Sequence, residues 1–165
     1  TADSGAYRTG GIGIPRMRVI ILHHLEPCWD AGLRKFGTNF EELACKVIEH
    51  LEEFSYDRVI LTRFEDGRLD DEHYQVGLSE YVDQVHDYGY GWERSMIEDG
   101  CFPDSQEWVE GGTHSEIVLI DDWMKELKND EVDLCGAFDG ECIEDMEIAL
   151  EGAGVAFNRI NSLIV

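Results

Sequence analysis

The chain has 165 residues, 43% of them hydrophobic, enough for the core of one domain of ordinary size. Its 36 acids against 13 bases leave a formal charge of −23, and its only lysines are Lys35, Lys46, Lys125 and Lys128. Binding to nucleic acid or an anionic membrane surface needs basic side chains that displace counterions, so no nucleic acid and no membrane are expected as partners.

The sequence contains no run of about 18 apolar residues that would cross a bilayer. An acidic excess with scarce lysine suits a protein working in high salt, and predicts a melting temperature that rises between low and molar salt. A melting temperature unmoved or lowered over that range would exclude the idea. Five cysteines (Cys28, Cys45, Cys101, Cys135, Cys142) make an odd number without a C-x-x-C pair or tight Cys/His spacing. This argues against a disulfide framework and a structural zinc site, and a reducing, cytoplasmic setting is the expectation. The first residues also lack the basic start and apolar stretch of a secretory leader. Cys45 and Cys135 stand in apolar patterns and are expected to be small buried residues.

Residues 1–16 are rich in Gly and small polar residues and read as a flexible arm or vector-derived remnant, ahead of a single domain over 17–165. The run from Gly10 to Gly13 precedes the first strand instead of following one, so it is no phosphate loop. From Met17, Val19, Ile20, Ile21 and Leu22 form a continuous, largely β-branched run that fits a strand buried on both faces. Thr38 and Glu41 have capping-box spacing, and Phe40, Leu43, Ala44, Val47, Ile48, Leu51 and Phe54 recur at three and four residues, predicting a helix. Arg58 to Phe64 predicts a second strand, and strand, helix, strand implies a right-handed parallel crossover.

Residues 65–113 are acidic, aromatic and interrupted by Gly, with a short helix expected around Leu78 to Val85. A segment this long covers a site or makes an interface, or else its aromatics finish the core over one sheet edge. Order returns with a strand over Glu116 to Ile120 and a short helix from Asp121 or Asp122 through Leu127. A strand over Val132 to Phe138 follows, then a helix from about Gly140 to Glu151 stopped by Gly152 and Gly154, and a closing strand within Val155 to Val165. The expected fold is therefore α/β, a three-layer, doubly wound, mostly parallel sheet of about five or six strands, with sites beyond the carboxyl ends of the strands.

Cys142 falls between a buried strand and the first turn of a helix, where free backbone N–H groups and the helix dipole favour a thiolate and can hold an oxyanion. The spacing of Gly136, Cys142 and Gly154, with Ile143 after the cysteine, resembles the isochorismatase-like cysteine hydrolases, which include nicotinamidases. VIILHHLEPCW and VILTRF resemble that family's first two strands. The resemblance implies Cys142 as nucleophile, activity on a small amide or related small molecule, and self-association into a homo-oligomer. It breaks at the other catalytic positions. His24 stands where the family has Asp, residues 108–112 (WVEGG) hold no Lys, and Asp139 replaces a Thr, while Glu141, Glu144 and Asp145 crowd the helix start and oppose a thiolate.

Three readings follow. The first is a catalytically degenerate domain serving in binding or assembly, with Cys142 a small residue at a tight helix start. The second is a divergent hydrolase in which Cys142 attacks, His24 is the base and Glu26 orients the imidazole. The third is a viral or accessory structural protein using its arm and aromatic segment as contacts. No cofactor is expected. His23, His24, Asp66 and His73 suggest a metal, as in some nicotinamidases, but neighbouring strand residues point to opposite faces and cannot easily serve one ion. The acidic run from Glu65 to Glu72 lacks the spacing of a calcium loop and reads as solvated surface.

Overall fold

A computed structural model describes residues 16–64, 67–100 and 107–165. The expected arm, apart from Arg16, lies outside them, as do Glu65, Asp66 and Cys101. Five strands form one parallel sheet: β1 (Arg18–His23), β2 (Arg58–Arg63), β3 (Gln84–Asp87), β6 (Glu131–Gly136) and β7 (Phe157–Ile164), in the order β3-β2-β1-β6-β7. The chain winds outward from β1 to β3 on one side and continues through β6 to β7 on the other. The carboxyl ends of β1 and β6 therefore flank a topological switch point, where α/β sheets place their crevice.

Both faces of this sheet are covered, which makes three layers. Along β1, Ile20 and Leu22 pack with Leu33, Leu43, Ala44 and Val47 on one face. Val19 and Ile21 pack with Met124, Ile143, Met146 and Leu150 on the other. The first group belongs to α1 (Asp30–Arg34) and α2 (Phe40–Glu53). The second belongs to α5 (Asp122–Lys125) and α6 (Cys142–Gly152), counted after α3 (Asp71–Gln75) and α4 (Arg94–Glu98). A fully buried Ile or Leu contributes about 1.5–3 kcal/mol relative to exposure, which is why the apolar run of β1 takes the centre.

Several local expectations need correction. The helix over 40–53 begins at Phe40 and is capped by Asn39, whose side chain accepts the Glu42 N–H at 2.9 Å, so the cap is Asn39 and not Thr38. Cys135 is buried, but Cys45 is exposed, because it is turned about 100° around the helix from Ala44 and misses the buried stripe. Glu116 to Ile120 contains a strand, β5 (Ile117–Ile120), but not in the main sheet. It pairs antiparallel with β4 (Glu107–Glu110), and this ribbon packs on α6. The fifth place in the sheet is taken by β3, in the region where a helix was expected. Leu78–Glu80 forms only one 3-10 turn before the chain extends.

Candidate functional site

A cavity of approximately 550 Å³ opens at the carboxyl ends of β1, β2 and β6. Its depth holds His24, just past β1, and Cys142, the first residue of α6. Its walls are mainly aromatic: Trp29, Phe36, Phe64, Tyr90 and Phe138. Lys35, His114 and Glu141 complete the polar part of the lining, with His114 paired to Glu141 at 3.2 Å.

Two positive-φ residues, Gly136 and His24, set the shape. Gly136 has φ +119, and a Cβ there would stand 1.9 Å from the His23 carbonyl oxygen, so only glycine lets β6 end against β1. Beyond it the Ala137–Phe138 peptide is cis. His24 has φ +55, and this left-handed residue breaks the strand alternation. The His23 and His24 rings consequently stack, with centroids 4.2 Å apart, rather than pointing to opposite faces as expected. His24 is covered on its other side by the Trp29 indole, 5.3 Å away and nearly parallel.

His24 is 1% exposed, and neither of its ring nitrogens has a hydrogen-bond partner among the described residues. Burial and the nearby His114 lower its pKa to about 3, so the ring is neutral. Glu26 does not orient it. The Glu26 carboxylate accepts from Arg63 Nε at 3.1 Å, Trp29 Nε1 at 2.9 Å and the Phe64 N–H at 3.0 Å. It therefore fixes two walls of the cavity while standing apart from the imidazole. The reason is local: Arg63 ends β2 beside the buried Glu26, and a buried guanidinium takes the carboxylate first.

Cys142 is half-buried, and its thiol pKa is pushed up to about 12. Burial is the main cause, followed by the Asp145 and Glu141 carboxylates, while the Phe138 and Cys142 amides act weakly the other way. The helix start offers less to an oxyanion than its position suggests, because the Glu141 and Ile143 N–H groups both donate to the Phe138 carbonyl at 3.1 Å. Asp145→Asn should lower the thiol pKa. Each unit lost raises the thiolate fraction about tenfold at pH 8. A thiol-directed reagent should then label Cys142 several-fold faster, and an unchanged rate, with Cys142→Ala as the blank, would refute the electrostatic account.

His23 is fully buried beside this group, and its pKa is held well below 6.5 by burial first and His24 second. Its Nδ1 bonds Thr62 Oγ1 at 2.7 Å and its Nε2 bonds the Tyr90 hydroxyl, which also donates to the Cys142 carbonyl at 3.2 Å. Unfolded imidazoles take up a proton near pH 6.5, while these two stay neutral in the fold. Their contribution is full above 6.5 and is lost as the pH falls. From pH 7 to 5.5 the two together should cost about 2.5 kcal/mol of stability, read from urea unfolding. His24→Asn, which tolerates the left-handed backbone, should remove about half of that dependence; an unchanged slope would contradict the assignment.

Among the described residues, which leave out Asp66, no three His, Cys, Asp or Glu side chains are grouped to hold a metal ion. His23 is engaged with Thr62 and Tyr90, and His73 bonds the Leu25 carbonyl at 2.8 Å while closing the cap of α3. No described helix is long and apolar enough to cross a membrane.

The structure thus brings Cys142 and His24 to one cavity and gives Glu26 a supporting place. Residues that sequence reasoning passed over are Lys35, Phe36 and His114. Lys35 leaves the end of α1 and reaches the cavity from an element that carries no motif, so nothing in the spacing marks it. The aromatic middle segment divides its work. Tyr88 is buried in the core, its hydroxyl donating to the Leu119 carbonyl, while Tyr90 lines the cavity.

Fold and site together define an α/β domain with a cavity of small-molecule size at its switch point. Comparison with protein-family models, curated proteins and solved structures finds no match.

Proposed function

We propose that the chain is an isochorismatase-like domain that has set aside hydrolase chemistry and binds a small molecule in the His24 cavity. The observation that carries this reading is the state of two side chains that line the cavity: a buried, neutral imidazole whose ring nitrogens have no hydrogen-bond partner among the described residues, and a thiol that burial and two carboxylates keep protonated. Transfer of a proton from this thiol to this imidazole is unfavourable at both ends, so the cysteine is a poor nucleophile, whereas unused ring nitrogens within aromatic walls suit recognition. The test is direct. Nicotinamide and a panel of related small amides should survive incubation with the protein, and hydrolysis lost in Cys142→Ala would overturn the proposal.

One arrangement favours the divergent-hydrolase reading. Lys35 lines the cavity with Cys142 and His24, so a lysine is available although not from the family position. That reading requires turnover to vanish in both Cys142→Ala and Lys35→Met.

A further inference from the structure

We infer that the ligand of the His24 cavity is a small organic cation, an alkylated or protonated amine carrying an apolar body. This inference rests on the binding reading above and names its ligand class. Five aromatic side chains line one cavity: Trp29, Phe36, Phe64, Tyr90 and Phe138. The faces of such rings carry negative electrostatic potential, and aromatic enclosures are a recurrent means of holding quaternary ammonium groups. The polar lining adds acceptors: Glu141, and a His24 ring, 1% exposed, whose two nitrogens have no hydrogen-bond partner among the described residues. A neutral imidazole has one bare nitrogen that accepts an ammonium N–H, and one N–H for a polar group on the ligand body.

The long-range field points the same way. A formal charge of −23 raises the local concentration of cations and repels anions approaching the mouth. The basic side chains of the lining are His114, paired to Glu141 at 3.2 Å, and Lys35, whose charge opposes a cation but which is exposed on a flexible stem. Lys35 therefore supplies the discriminating variant. If the ligand is a cation, removing that charge strengthens binding; if it is an anion, removal weakens binding.

The experiment titrates the full chain with benzyltrimethylammonium, benzyl alcohol and benzoate, three probes with one ring and different charge. Calorimetry gives affinities, and ligand-observed NMR confirms contact. Benzyltrimethylammonium should bind at least tenfold tighter than benzyl alcohol, with benzoate weakest. Lys35→Met should tighten the cation several-fold and Phe36→Ala should loosen it several-fold. Both residues are exposed, Phe36 at 62%, so the fold should persist in both variants. Benzoate or benzyl alcohol binding as well as the cation, or Lys35→Met weakening it, overturns the cation while leaving a binding domain. Failure of all three probes to bind overturns the cation, and amide hydrolysis lost in Cys142→Ala overturns the binding reading itself.

Discussion

Gly136→Ala should leave no folded protein at room temperature. The added Cβ would meet the His23 carbonyl oxygen at 1.9 Å and the His23 carbonyl carbon and nitrogen at 2.8 Å, all backbone atoms that no rotamer change can move. The backbone angle, φ +119, penalises any side chain independently. Relief would require β6 to separate from β1 where His23 and Gly136 are in register, breaking the Ala137 N–H bond to the His23 carbonyl at 3.0 Å. Substitutions that force backbone apart at the centre of a sheet belong to the exceptional class above about 4–5 kcal/mol, most of the stability of an ordinary domain. Gly140→Ala is the matched control. It also has positive φ, +74, but open space around its Cβ, so it should cost only about 1 kcal/mol and a few degrees of melting temperature. Circular dichroism melts of the two variants would show the contrast. A Gly136→Ala protein melting within a few degrees of the parent would mean that the close approach does not exist.

The same crossing explains what could be read from the sequence and what could not. β1, β2 and β6 announce themselves through continuous apolar runs, and α2 through its three-and-four spacing, because burial dictates residue type directly. β3 was missed because Gln84–Asp87 is a short edge strand with polar ends, whose place in the sheet depends on hydrogen bonds to β2 and not on its own composition. β5 was placed in the wrong sheet for the opposite reason. All four of its residues are buried, and an apolar run does not say which partner buries it. At the site, Cys142 was legible because a strand, a glycine and a helix start locate it. The surroundings of His24 were not, since a single left-handed residue turns its ring onto His23 and Trp29, and the nearest acid in sequence, Glu26, answers to an arginine 37 residues away.

That arginine supports the second large effect, expected from Glu26→Gln. Glu26 is 1% exposed and its partner Arg63 only slightly more open, so the substitution removes one charge of a buried pair and leaves the other in place. Breaking such a pair from one side costs about 3–5 kcal/mol, because the remaining ion has been taken out of water without its counterpart. Asp70, 3.1 Å from Arg63 Nη1, compensates only in part, since its own side chain is 35% exposed and better screened. The amide oxygen of glutamine can still accept a hydrogen bond, but it cannot replace two carboxylate oxygens that serve Arg63, Trp29 and Phe64 together. Urea unfolding at pH 7 should report the loss, and a change below about 1 kcal/mol would show that the pair is not the anchor described. Glu26→Leu separates support from recognition. At temperatures where it remains folded, Trp29 Nε1 loses the oxygen that accepts from it, and cavity probes should bind more weakly. An Arg63→Met, Glu26→Leu double variant should recover much of the stability by removing both charges, yet leave Trp29 untethered and binding still weak. Recovery of binding together with stability would mean that Glu26 acts on the cavity only by keeping the fold intact.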